Sequence, residues 1–286
     1  MRLALCRILG NDLPPRHQEG QTVQNLKYIL ENEATFDDVT KFFVLNRILD
    51  PEINEECARL IQEAGHQVYS IEFNPGVYGL HRTFEDKFGY ITNNNGARNF
   101  CLEIGFDQQD FDVVLPFDGN CFFTVEGWAY FLNEVKNNYY SPYFIVPMAR
   151  CHSYECLGGQ PMVREMYRVG RMAKHEMTEP QIAFGKDHDL RFNPDRRYSE
   201  APKVDLLWRL GIPGIWDYFY QEPGGLCQQA LKNPSKFIER QPIYAGYVFR
   251  LPSGNSDAEN DNAIRGAARQ EGLRRIVDQA DALVSA

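Results

Sequence analysis

The chain has 286 residues, of which 43% are hydrophobic, enough to bury a large core in one sizeable domain or in one domain with an added lobe. Its formal net charge of −9 excludes an extended nucleic-acid surface, which needs basic stripes, but leaves room for a phosphorylated small molecule held by a few placed cations. No apolar run approaches the roughly 20 residues that cross a bilayer, and MRLALC is too short for a signal peptide, so a soluble, cytoplasmic protein is expected. The seven cysteines, Cys6, Cys57, Cys101, Cys121, Cys151, Cys156 and Cys227, are scattered and form no CxxC. That suggests neither a zinc site nor a disulfide framework, and they read as small buried hydrophobes in a reducing compartment.

Up to residue 120, apolar runs of strand type alternate with helical spacings. LALCRIL (3–9) reads as a strand and is followed by the loop GNDLPPRHQEG. In TVQNLKYILENE (22–33), Val23, Leu26, Ile29 and Leu30 recur at helical spacing, with Thr22 as a cap. KFFVLNRI (41–48) is a second strand. Asp50 then caps a helix that opens on Pro51, runs through Ala64 and stops at Gly65. HQVYSIEF (66–73) is a third strand. Beyond the loop around NPGVYG, ITNNNGARNFCLEIG (91–105) holds a helix starting near Asn95. FDVVLPF (111–117) is a fourth strand and TVEGWAYFLNEVKNN (124–138) the next helix. This order predicts an α/β fold with a mostly parallel sheet covered by helices on both faces. Ligands in such folds bind beyond the carboxyl ends of the strands, where the residues after Leu9, Leu45 and Phe117 converge.

The second half is less regular. YFIVPMAR (143–150), PQIAFG (180–185) and QPIYAGYVFRL (241–251) read as strands, and VDLLWRLG (204–211) as a helix stopped by Gly211 and Pro213. VREMYRVGRMAKHEM fits helix or loop. Pro252 to Asn262 is a polar linker, and 263–284 an amphipathic helix for packing or for oligomer formation. There is no GxSxG, Walker loop or GxGxxG, which removes the usual hydrolase, kinase and dehydrogenase signatures. His152 and His188 have no partner at metal-ligand spacing.

The chemistry concentrates in GARNFCLEIGFDQQDFDVVLPFDGN. A helix carries Arg98 and Asn99 near its start, suited to an anion. A strand then ends on Asp118, Gly119 and Asn120. Asp-Gly-Asn is ordinary turn chemistry; alternatively, the carboxylate and the amide oxygen are hard ligands for Mg²⁺ or Mn²⁺. In the first loop Arg7, Asn11 and Asp12 are the right types to bond a base or sugar edge, Arg16 and His17 to reach phosphate, and Asn46 comes near the end of the second strand.

At these residues the sequence resembles the GT-A glycosyltransferases, in particular the broad family-two group, whose segment of the type GxxxARNxGLexAxGdyixflDaD is matched over 94–120. The resemblance implies a nucleotide-diphosphate-sugar donor and a divalent cation held by Asp118 and Asn120; because Asn120 departs from the family's second carboxylate, arginines such as Arg7 or Arg98 are read as sharing the neutralisation of the diphosphate. It also implies inverting transfer to a saccharide or other hydroxyl-bearing acceptor. RFNPDRRYSEAPKVDLLWRLG (191–211) is more loosely similar to the family's GGFDErfxxxxEDvDLxxRlxxxG. The acidic pair that contains the usual general base falls on Pro202 and Lys203, so Lys203 binds phosphate or acceptor instead, and Asp187, Asp189, Glu200 and Asp205 stand as candidate bases. A single domain is expected, with a donor half over 1–120, an acceptor half over 121–251, and a linker and helix over 252–286. Two alternatives stay open, a nucleotidyltransferase of related fold and a non-catalytic sugar- or nucleotide-binding relative.

Overall fold

The computed structural model describes residues 1–151, 153–157, 179–198, 202–212 and 243–285. It is a mixed α/β fold whose central six-stranded sheet is mostly parallel and flanked by helices. Strands β1 (Leu3–Leu9), β2 (Val39–Asn46), β3 (Gln67–Ile71) and β4 (Val113–Asp118) are parallel, and β1 pairs with both β2 and β4. Between them run helices α1 (Gln21–Asn32), α2 (Pro51–Glu63), the single turn α3 (Pro75–Tyr78), α4 (Phe84–Thr92) and α5 (Asn94–Leu102). The chain therefore builds outward from β1 to β3, returns through α4 and α5, and lays β4 on the other side of β1. The strand order reverses at β1, and such a reversal opens a crevice between the loops that leave the two strands.

Alternation along the strands sorts the core into layers. Leu3 and Leu5 face one side with Val113, Leu115 and Phe117, packed on Trp128 and Phe131 of α6 (Val125–Asn137). Ala4 and Cys6 face the other side with Phe42, Val44 and Val114, against Cys101 and Leu102 of α5. Cys6 and Cys101 are joined as a disulfide, and Cys151 is also disulfide-bonded, whereas Cys57 and Cys121 are free and buried. The reading of the cysteines as reduced hydrophobes therefore holds for Cys57 and Cys121 and is corrected for Cys6, Cys101 and Cys151, while Cys227 lies outside the described residues. Spacing along the chain could not show that Cys6 and Cys101 meet across a strand–helix layer.

Beyond β4 the strands change sense. Pro147 divides YFIVPMAR into β6 (Tyr143–Val146) and β7 (Met148–Arg150), since proline has no N–H for a ladder. Strand β6 enters the main sheet beside β8 (Gln181–Gly185), and β8 runs antiparallel to β4. Strand β7 joins β5 (Cys121–Phe122) and β9 (Val248–Arg250) in a separate three-stranded sheet. Among the described residues of QPIYAGYVFRL only Val248–Arg250 is strand, because Gly246 turns the chain at φ 62°. Helix α7 (Pro202–Arg209) follows β8, and after β9 come α8 (Ser256–Asn260) and the long α9 (Asn262–Ser285).

Of the two roles expected for the last helix, packing is the one seen. Leu273, Ile276, Val277 and Ala280 of α9 form a core with Tyr78 of α3, Phe88 and Ile91 of α4, and Leu13 and Leu49 from the loops after β1 and β2. Asp281 accepts from Tyr78 Oη at 2.8 Å and from Lys87 Nζ at 2.7 Å. Gly272 lets α9 approach the chain closely, since a Cβ there would meet the Leu13 carbonyl oxygen at 2.5 Å. No described helix is long and apolar enough to cross a membrane.

Candidate functional site

A cleft of about 390 Å³ opens at the reversal of strand order, lined by the ends of β1 and β4, the loops after β1 and β2, and residues of α5, α7, β7, β9 and α9. Asp118, the last residue of β4, stands in it. Its Oδ1 accepts from Arg98 Nη2 at 2.9 Å, and its Oδ2 accepts from Lys203 Nζ at 2.8 Å and Gln181 Nε2 at 3.1 Å. The Asp118 side chain is 27% exposed, while those of Arg98 and Lys203 are 7% and 4% exposed. Burial works against a charge on Asp118, but the Lys203 ammonium and then the Arg98 guanidinium outweigh it and hold the carboxyl well below the usual carboxylate range. Arg98 is itself fixed, donating from Nη1 to Asn95 Oδ1 at 2.8 Å and lying over the Phe192 ring. Gly119 gives the clearance expected of it, because a Cβ there would meet the Ile8 carbonyl oxygen at 2.5 Å.

The other expected site residues divide sharply. Asn11, Asp12, Asn46, Asn120 and Lys203 line the cleft with Arg98 and Asp118, as does His17. Three of these also build its walls. Asn11 donates to the Arg47 carbonyl at 2.7 Å and accepts from Leu49 N at 2.8 Å. Asp12 accepts from Thr22 N at 3.0 Å and Thr22 Oγ1 at 2.7 Å, fastening the loop to the start of α1. Asn46 donates to the Thr92 carbonyl at 2.8 Å and accepts from Asn93 Nδ2 at 2.9 Å, locking β2 to the α4–α5 junction.

Arg7 is a correction. Strand alternation turns it onto the face of Leu3 and Leu5, where it is fully buried, paired with Glu33 at 2.8 Å and stacked over Phe117. Arg16 is likewise fully buried and outside the cleft lining. Asn99 clasps the backbone of Phe192, donating at 2.9 Å and accepting at 3.1 Å, and does not reach the cleft.

The candidate bases are mostly displaced. Asp187 and Asp189 follow Gly185, which pairs with Val113 at the start of β4, so both lie at the opposite edge of the sheet from Asp118. Asp189 accepts from Tyr143 Oη at 2.8 Å there. Asp205 is two residues beyond Lys203 on α7; with Lys203 facing the cleft, helical geometry turns Asp205 away. It is buried between Arg196 at 3.1 Å and Arg209 at 2.9 Å. Glu200 lies outside the described residues.

Four charged residues of the cleft escaped sequence reasoning: Glu179, Arg150, Arg250 and Arg269. Glu179 just precedes β8, and it reaches the cleft only because β8 is antiparallel. Arg150 and Arg250 pair side by side on β7 and β9, and the available signal was an arginine near the end of each apolar run. Arg269 comes from α9, its guanidinium over the Tyr198 ring at 5.3 Å. In a chain of net charge −9, five Lys and Arg side chains line the cleft against the three carboxylates of Asp12, Asp118 and Glu179. The site is a local reversal of the molecule's charge, suited to a polyanion.

The donor set does not fit a divalent cation. Mg²⁺ and Mn²⁺ are held by oxygen ligands, chiefly carboxylates. Here both oxygens of Asp118 already face cationic groups, Asn120 offers a neutral amide, and no cluster of three or more His, Cys, Asp or Glu able to hold a metal occurs among the described residues. A dication on those oxygens would be repelled by the Lys203 ammonium and the Arg98 guanidinium.

No protein-family model matches the chain, and no curated protein matches its sequence. Among solved structures it is similar to glucosyl-3-phosphoglycerate synthase from Mycobacterium tuberculosis in complex with Mg²⁺ and UDP, at 10% identity and TM-score 0.34, over 98% of this chain and 79% of that one. It is also similar to mouse xyloside xylosyltransferase 1 in its apo form, at 12% identity and TM-score 0.32, over 90% of this chain and 79% of that one. With TM-scores below 0.5, neither likeness carries an activity over to this chain.

Proposed function

We propose that this protein is a glycosyltransferase of GT-A type that moves a sugar from a nucleotide-diphosphate-sugar to an acceptor hydroxyl. The observation that carries the reading is the reversed charge of the cleft at the topological switch point, with Asp118, Arg98 and Lys203 gathered at the end of β4. In this reading the nucleoside lies along the loop after β1, beside Asn11, Asp12 and Asn46. Arg98 and Lys203 take the diphosphate, and the acceptor enters from the side of β7 and β9. The donor half is then 1–120 and the acceptor half 121–251, with Lys203 and Arg269 reaching back to the donor.

For inverting transfer, the acceptor oxygen forms a bond to the anomeric carbon as the bond to the diphosphate breaks, and the hydroxyl proton passes to a base. Asp118 is held ionised by two cations, and Asp12 is fastened to the start of α1 on the side of the cleft given to the nucleoside, away from the acceptor. Glu179 is the carboxylate that the acceptor half contributes to the lining of the described cleft, and on that position we assign it this role. Arg98 and Lys203 stabilise the leaving diphosphate electrostatically.

The test is calorimetry with UDP, GDP, ADP and CDP, followed by assay of nucleoside-diphosphate release from the corresponding sugar donors. Binding of one diphosphate with turnover of its sugar donor supports the reading, and binding of none overturns it. Binding without turnover of any donor makes the protein a nucleotide-binding relative. Pyrophosphate release from a nucleoside triphosphate and a sugar phosphate makes it a nucleotidyltransferase.

A further inference from the structure

The sequence departs from the GT-A pattern at two places that look unrelated. Asn120 stands where a second metal-binding carboxylate is expected, and Lys203 stands in place of an acidic pair. In three dimensions both departures meet at Asp118. Lys203, 85 positions further along the chain, places its ammonium 2.8 Å from Asp118 Oδ2, and Arg98 places its guanidinium 2.9 Å from Oδ1. One carboxylate is lost at 120, another is absent at 203, and a fixed cation is gained at the carboxylate that remains.

We propose that Lys203, with Arg98, permanently replaces a divalent cation at this site, so that the diphosphate is bound without metal. The inference rests on the donor reading given above. Lys203 is 4% exposed by its side chain and Arg98 7%, so neither is a mobile surface charge. Asp118 anchors both, and Gln181 steadies it, donating to Oδ2 at 3.1 Å while accepting from its backbone N–H at 3.4 Å. Each cation keeps donor capacity beyond its bond to Asp118, since an ammonium has three N–H groups and a guanidinium five. Two anchored cations beside the cleft supply what a metal bridge supplies to a diphosphate, namely positive charge at a fixed place. In the same arrangement Asp118 is a positioning residue for Lys203 and Arg98 rather than a metal ligand.

The experiment is titration of UDP, GDP, ADP and CDP into the whole protein, in EDTA and separately in excess Mn²⁺ or Mg²⁺. The affinity of the best diphosphate is expected to agree within about twofold across the three conditions. Lys203→Met is expected to weaken binding at least tenfold in EDTA and to regain part of it in Mn²⁺, because Oδ2 is then open to the metal. Lys203→Arg keeps the charge and is expected to lose less metal-free affinity than Lys203→Met. Thermal melting of each variant separates loss of binding from loss of fold. As a second readout, Mn²⁺ paramagnetic resonance should show no bound metal in the unmodified protein and bound metal in the double variant Lys203→Met, Asn120→Asp. Diphosphate binding by the unmodified protein only when Mn²⁺ or Mg²⁺ is present overturns the inference while leaving the donor reading intact. Binding under no condition overturns both.

Discussion

At the scale of single residues, the ending Asp118-Gly119-Asn120 shows how local chemistry and distant partners share the work. The glycine was legible in the sequence, since a strand that must pass its neighbour and still present a carboxylate needs a residue without Cβ. Gly119→Ala drives a methyl group onto the Ile8 carbonyl. It is expected to cost about 1–3 kcal/mol, measured by urea unfolding, and to lower donor affinity by shifting Asp118. The partners of Asp118 were half legible: Arg98 sits in a recognisable helix start, whereas Lys203 was readable only as an oddity where an acid was expected. Arg7 misled because an arginine near the end of a strand reads as a site residue until alternation assigns its face. If Glu179 takes the acceptor proton, Glu179→Gln should lower kcat about 10²-fold and leave the donor KM nearly unchanged. Steady-state kinetics decides this, and an unchanged kcat removes Glu179 from the reaction.

At the scale of elements, β1 to β4 and helices α1, α2 and α5 were readable from their apolar patterns, whereas α3 and α4 lie where only a loop was read. Sense and sheet membership were not readable. YFIVPMAR contributes to two sheets, and β8 runs against β4, and this one reversal moves Asp187 and Asp189 away from the site while bringing Glu179 into it. What ties α1 to the sheet beneath the cleft is a buried ion cluster. Glu33 receives Arg7 at 2.8 Å and Lys41 at 3.0 Å and also accepts from Phe123 N at 3.0 Å. Removing the acid that Arg7 and Lys41 share leaves two buried cations without that charge partner. Glu33→Gln should therefore destabilise the fold by about 3–5 kcal/mol, as chemical denaturation will show, with a loss below 1 kcal/mol contradicting the cluster's role.

At the scale of the whole molecule, charge and pH act together. Burial opposes the charge of Glu33 and of Asp118, yet neighbouring cations lower both groups below their ordinary values of 4.5 and 3.8. A depressed carboxylate contributes fully above its unfolded value and loses that contribution as the pH falls. His66 and His188 act in the same direction, because burial holds both below the ordinary 6.5 and the unfolded chain takes protons first. The melting temperature should accordingly hold near neutrality, begin to fall below about pH 6.5, and fall steeply below about pH 4.5. A calorimetric pH series that stays flat down to pH 4 would contradict this.

The docking of α9 has a consequence in time. Its Leu273, Ile276 and Val277 pack on elements made early in the chain, and its Arg269 lines the cleft beside residues of the first loop. A ribosome releases the chain from the amino end, so β1 to β4 can pair while the cleft still lacks one wall. The lining of the cleft is not complete until α9 has emerged and folded back. A chain cut short before residue 262 would keep the strands that define the sheet and lose the cation that this last helix brings to its mouth.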